Sequence, residues 1–174
     1  MKKAEHKGRY LCRILLVIYL FLLIRLIVFK YPIPVLSGIM DEWELDNAKA
    51  GVATANLTLF KTIRMYIRYY DRLNGFDNLF GNILAFMPLG MLIPLAFPGM
   101  ERFFEILLHS FWLSLCIELF QLVSHFGAFD VDDILLNTLG GVLGFVIFLL
   151  FRRIFYRQAK GERNEESFKI PGKL

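Results

Sequence analysis

A cluster of carboxylate and amide side chains lies between two long apolar segments in the C-terminal half of the chain. Its members are Glu118, Gln121, Asp130, Asp132, Asp133 and Asn137. Paired carboxylates can share general acid and base work or hold a divalent cation, and amides can hydrogen-bond a ligand. The cluster is therefore the first candidate for a functional site.

Each member also has a structural alternative. Amides inside a membrane commonly hydrogen-bond neighbouring helices, and Asp132 or Asp133 could cap the helix that follows. Asp130 could be a residue of a solvated turn. Glu118 differs, because a carboxylate facing lipid costs about 2.5 kcal/mol or more. We therefore expect Glu118 to face the protein interior and to have a partner or a function.

The composition indicates an integral membrane protein. Of 174 residues, 56% are hydrophobic and the mean hydropathy is +0.51, whereas soluble domains are about 45–50% apolar. The net charge is +4, and the basic residues gather at the two ends, which is unlike a nucleic-acid-binding surface. Cys12 and Cys116 have no CxxC or CxxH context, so we predict no disulfide, metal or redox role for them.

Hydropathy predicts an all-α membrane protein with about four transmembrane helices. The predicted spans cover roughly residues 11–29, 79–97, 103–124 and 134–151. A basic, aromatic-rich segment over roughly residues 57–70 is amphipathic at helical spacing. It is predicted to lie in the membrane interface or, alternatively, to pack on the bundle.

The lysines and arginines predict how the chain is oriented. The chain divides into a basic arm at residues 1–10, one membrane domain at residues 11–151 and a basic tail at residues 152–174. An even number of four spans places the arm and the tail on the same side of the membrane. Positive charge favours the cytoplasm for both termini. The polar ends of the spans then meet at the outer face, where Asn82 joins the cluster. We expect an outward-open cavity lined by cluster residues, with Arg25 of the first span near Glu118.

Three motifs in this order resemble the VanZ-like family. They are Asn82-Ile-Leu-Ala-Phe-Met-Pro-Leu-Gly90, Glu118-Leu-Phe-Gln121, and Phe129-Asp-Val-Asp-Asp-Ile-Leu-Leu-Asn-Thr-Leu-Gly-Gly-Val-Leu-Gly144. Upstream, Asn56-Leu-Thr-Leu-Phe-Lys-Thr-Ile63 is similar to the family segment Asn-Leu-x-Pro-Phe-x-Thr-Ile, with Leu59 where proline is frequent. The core resemblance covers roughly residues 56–151.

The resemblance implies a multi-pass protein of the bacterial plasma membrane with a role in the cell envelope. The family is associated with resistance to teicoplanin-type glycopeptide antibiotics. One hypothesis is therefore lowered susceptibility to teicoplanin or lipoglycopeptides, through binding of a lipid-linked or glycopeptide-like ligand at the outer leaflet.

Two hypotheses of other classes stay open. The chain could be a membrane-embedded enzyme acting on an envelope lipid or lipid phosphate, with Glu118 paired to Asp132 or Asp133. It could also be a small proton-coupled carrier. We expect membrane lipids as partners and no nucleic acid. No cofactor is predicted, with a divalent cation as the alternative, and the sequence leaves catalysis and the oligomeric state open.

Overall fold

The computed structural model describes residues 2–28, 55–68, 75–124 and 129–168 of the chain. Two strands of two residues each, β1 (Ala55–Asn56) and β2 (Phe129–Asp130), pair in parallel, with Ala55 opposite Phe129. The helices of these segments are α1 (Lys2–Val28), α2 (Lys61–Arg68), α3 (Gly75–Ala96), α4 (Phe103–Ser124) and α5 (Val131–Phe168).

Three helices in the described segments are long and apolar enough to cross a membrane. They contain the stretches Leu79–Ala96, Phe103–Ser124 and Val131–Ile154. These stretches confirm the all-α membrane class and coincide with the last three predicted spans. α1 covers the predicted first span up to residue 28, and its 27 residues reach about 40 Å. It carries Arg13 and Arg25 and is not among the three, so a fourth span stays a prediction.

α3 and α5 run in the same direction and share the most extensive contact of the bundle. A Cβ atom on Gly90 would lie 1.8 Å from the carbonyl oxygen of Gly141, and one on Gly144 would lie 1.9 Å from that of Met87. Only glycine allows the two backbones to approach this closely. Gly144 therefore allows close packing between α3 and α5.

α1 runs antiparallel to α3. The Arg13 Nε donates a hydrogen bond to the Ala96 carbonyl oxygen at 3.2 Å, and the Tyr19 hydroxyl donates to that of Ala85 at 2.7 Å. The start of α1 therefore lies at the same end of the bundle as the turn after α3. Arg152 of α5 lies at this end too, where it pairs with Glu101 of that turn.

The opposite end of the bundle carries α2, the two short strands and the polar cluster. This arrangement agrees with the four-span prediction, because the N-terminal arm and the first basic residues after the last span lie at the same end of the bundle. The side of the membrane that each end faces stays a prediction. So does the division into arm, domain and tail, and α5 continues without a break from the apolar span to Phe168.

α2 is shorter than the predicted amphipathic segment, and residues 69–70 lie outside the described part. The chain enters α2 through Phe60, which has a φ of 63°, a left-handed conformation that turns the backbone into the helix. α2 contacts α3 and α5, yet none of its residues is buried. It therefore rests on the end of the bundle with one face and presents the other outward.

Candidate functional site

Glu118 lies inside the bundle, as the cost of a lipid-facing carboxylate requires. It shares one face of α4 with Ser110 and Ser114, at spacings of four residues. The two serines are 0% exposed and Glu118 is 1% exposed. The Glu118 Oε2 accepts a hydrogen bond from the backbone N–H of Asp130 at 2.9 Å. The partner of Glu118 is therefore the backbone N–H of Asp130, the residue directly before α5.

Asp130 is the N-cap of α5. Its Oδ1 accepts the backbone N–H of Asp132 at 2.8 Å, which is the bond from the N-cap to the second helical residue. The expectation that Asp132 or Asp133 caps this helix is therefore wrong. Asp130 also accepts hydrogen bonds from the Asn56 amide, at 3.0 Å, and from the Thr62 hydroxyl. It is thus a junction between β1, α2 and α5 rather than only a turn residue.

Asp132 binds the N-terminus of α2. Its side chain is 0% exposed. Oδ1 accepts the backbone N–H of Phe60 at 2.6 Å, and Oδ2 accepts those of Thr62 at 2.8 Å and Ile63 at 3.2 Å. The first N–H groups of a helix have no partner within the helix and carry a partial positive charge. A buried carboxylate supplied by α5 satisfies these groups and compensates that charge.

The remaining members of the predicted cluster bond across the bundle. The Asn82 amide of α3 donates to Asp133 Oδ1 at 2.7 Å. The Asn137 amide of α5, 1% exposed, donates to the Ser114 hydroxyl of α4 at 2.9 Å. Gln121 is half-buried on α4. The cluster thus divides into a junction around Asp130 and helix-to-helix pairs.

These contacts satisfy cluster side chains within the protein, and the predicted outward-open cavity stays a prediction. A groove of about 570 Å³ lies between α1 and α3, and no residue of the predicted cluster lines it. Arg25 lines this groove, and it forms no ion pair with Glu118. The predicted proximity of Arg25 to Glu118 stays a prediction.

Sequence reasoning did not assign Asn56, Thr62 and Ser110 to the cluster. Asn56 and Thr62 stand in the motif around residues 56–63, so a polar pair within that motif was an available signal. Ser110 lies eight residues before Glu118 on the same helical face. Among the described residues, no three His, Cys, Asp or Glu side chains are grouped to hold a metal ion. The divalent-cation alternative stays a prediction.

The sequence matches a known family over most of the bundle. The model of the VanZ/LLP1 family covers residues 16–152. The chain belongs to the VanZ/LLP1 family. It is also similar to Protein VanZ of Enterococcus faecium, with 29% identity over 144 residues, 81% of this chain and 75% of that protein. No solved structure matches it.

Membership in the VanZ/LLP1 family agrees with the resemblance carried by the sequence motifs and with the apolar helices. It supports, at the level of the family, a membrane protein with a VanZ-like role in glycopeptide resistance. The matched residues include α2, the two strands and the whole polar cluster.

Proposed function

We propose that this chain lowers susceptibility to teicoplanin-type glycopeptide or lipoglycopeptide antibiotics by binding an anionic, lipid-linked envelope ligand at the outer leaflet. The observation that carries the proposal is the position of α2. Its N-terminal N–H groups are held by buried Asp132. Its basic side chains Lys61, Arg64 and Arg68 are exposed.

The exposed face of α2 has the chemistry of an interfacial helix. Lys61, Arg64 and Arg68 recur at spacings of three and four residues, which places them on one side of the helix. Met65 and Ile67 are exposed apolar residues of the same helix, 41% and 64% accessible. Basic residues near a membrane surface attract anionic head groups, and apolar side chains enter the boundary of the lipid.

In this proposal the carboxylates support the ligand-binding face rather than touch the ligand. Both oxygens of Asp132 accept backbone hydrogen bonds, and Glu118 and Asp130 accept bonds from other parts of the same junction. The enzymatic alternative needs carboxylates that reach a substrate. No contact of the described residues favours it over the binding role.

The test is expression in a glycopeptide-sensitive bacterial host with measurement of the minimum inhibitory concentration of teicoplanin and of a lipoglycopeptide. We expect expression to raise both values, and the triple variant Lys61→Gln, Arg64→Gln, Arg68→Gln to lose most of that protection. The matched control is the triple variant Lys7→Gln, Arg9→Gln, Arg153→Gln, which removes three exposed charges at the other end of the bundle.

Equal protection by the two triple variants, at equal membrane levels, would contradict the proposal, as would an unchanged inhibitory concentration on expression of the natural chain. Binding is measured separately, with purified protein in nanodiscs and undecaprenyl phosphate as the probe. Loss of the three charges should weaken binding at least about tenfold and remove its salt dependence. Turnover of the probe would favour the enzymatic alternative instead.

A further inference from the structure

The groove between α1 and α3 is open on the outside of the bundle. Its volume of about 570 Å³ falls within the range of roughly 300–1,000 Å³ that is typical of ligand sites. Leu22 and Leu26 of α1 and Leu84 of α3 line it and are 55%, 65% and 58% exposed. Because α3 contains a stretch able to cross a membrane, this apolar surface lies at the depth of the lipid chains.

The two arginines of the apolar part of α1 have different surroundings. Arg13 donates to the Ala96 carbonyl oxygen, and its guanidinium carbon lies 5.2 Å from the centre of the Phe97 ring. Arg25 is an exposed lining residue of the groove and forms no ion pair with any described residue. A guanidinium at membrane depth is costly unless an anion or a polar group meets it. Within the described residues, the groove therefore presents an arginine whose charge no carboxylate neutralises.

The polarity of the groove changes along its length. The Tyr19 hydroxyl is already bonded to the Ala85 carbonyl oxygen, so this residue offers its ring to the groove. Arg25 lies six residues further along α1, about 9 Å nearer the end of the bundle that carries α2. The charged end of the groove thus points to the polar end of the bundle, and the apolar end points to its middle. A lipid has its phosphate and its hydrocarbon chain in the same order.

We propose that the groove binds an anionic phospholipid, with the phosphate on Arg25 and one acyl chain over Leu22, Leu26 and Leu84. Arginine suits a phosphate because its planar guanidinium donates two parallel hydrogen bonds. The site is formed by α1 and α3, and it does not depend on the role proposed for α2.

The test uses the full chain in nanodiscs with two lipid probes that carry the same photoreactive acyl chain. One probe is a phosphatidylglycerol and the other a zwitterionic phosphatidylcholine. We expect phosphatidylglycerol to label peptides around Leu22–Leu26 and Leu84–Pro88 about fivefold more than phosphatidylcholine does. Arg25→Gln should remove this preference, and Arg25→Lys should keep part of it because the charge remains.

Two matched variants distinguish a specific lipid-binding site from general contact of the helices with lipid. Leu84→Trp fills the groove and should abolish its labelling by either probe, whereas Leu150→Trp changes an equally exposed leucine of α5 and should not. Arg153→Gln, at the other end of the bundle, should leave the lipid preference unchanged. Equal labelling by both probes, or an unchanged preference in Arg25→Gln with intact helicity, would overturn the proposal. So would a groove that labels no lipid because a second copy of the chain covers it.

Discussion

The Asp132 side chain accepts the backbone N–H of Thr62 at 2.8 Å across 70 residues of sequence. The same carboxylate accepts the N–H groups of Phe60 and Ile63 and is fully buried. A helix of eight residues is too short to be stable alone in water. The carboxylate at the start of α5 therefore holds α2 in place on the bundle.

Replacement of Asp132 should release α2. Asp132→Ala leaves three backbone N–H groups without their acceptor, and each buried donor without a partner costs about 1–3 kcal/mol. Hydrogen exchange followed by mass spectrometry should show faster exchange in peptides that cover residues 60–68, with α3 little changed. Antibiotic protection should fall as well, although every basic residue of α2 remains.

Glu105→Ala is the control for this loss. Its carboxylate also accepts a backbone N–H, that of Arg102, but at the other end of the bundle. Exchange in α2 should be unaffected by this change. Unchanged exchange of residues 60–68 in Asp132→Ala would refute the capping role.

The contact between α3 and α5 should not tolerate a methyl group at Gly144. The added Cβ would meet the Met87 carbonyl oxygen at 1.9 Å, so the two backbones must separate. Such overpacking costs about 1–3 kcal/mol or more. Gly144→Ala should lower the thermal unfolding temperature of the protein in detergent.

Gly81 is the matched glycine, because a Cβ there meets nothing within 4 Å. In a helix interior, alanine is more favourable than glycine by roughly 0.5–1 kcal/mol, so Gly81→Ala should be neutral or stabilising. Equal destabilisation by the two substitutions would show that loss of glycine, rather than the contact of Gly144 with α3, is responsible.

Two serines on one face of α4 should respond in opposite directions. The Ser110 hydroxyl is buried and has no hydrogen-bond partner among the described residues, so Ser110→Ala removes a group that is costly to bury. Ser114→Ala removes the acceptor of the Asn137 amide, which should cost about 1–3 kcal/mol. The thermal unfolding temperature should therefore rise or stay level for Ser110→Ala and fall for Ser114→Ala. The reverse order would contradict these assignments.

The protein should tolerate an amide side chain at position 118 better than an apolar one. Glu118→Gln keeps an oxygen that can accept the N–H of Asp130, whereas Glu118→Leu leaves that N–H unpaired at a cost of about 1–3 kcal/mol. We expect near-normal stability and antibiotic protection for the glutamine variant and losses for the leucine variant. A stable Glu118→Gln protein without protection would instead assign Glu118 a chemical role.

The polar residues show where prediction from the sequence ended. The cost of a charge in lipid was sufficient to predict that Glu118 faces inward, because this cost does not depend on the partner. Ser114 lies four residues before Glu118, on the same face of the helix. The partners of Asp130 and Asp132 in α2 could not be predicted in this way, because they lie about 70 residues away and no local period relates the two segments.

The amino-acid sequence by itself determined the membrane class, the approximate positions of three apolar spans and the family, because hydropathy, helical periodicity and ordered motifs are local properties of the chain. The tertiary structure decided what the cluster does within the fold. It showed that the buried Asp132 carboxylate binds the backbone of α2, and that Arg25 lines a groove between α1 and α3. These outcomes depend on which helix faces pack together, which in turn depends on close contacts such as that of Gly144 with Met87.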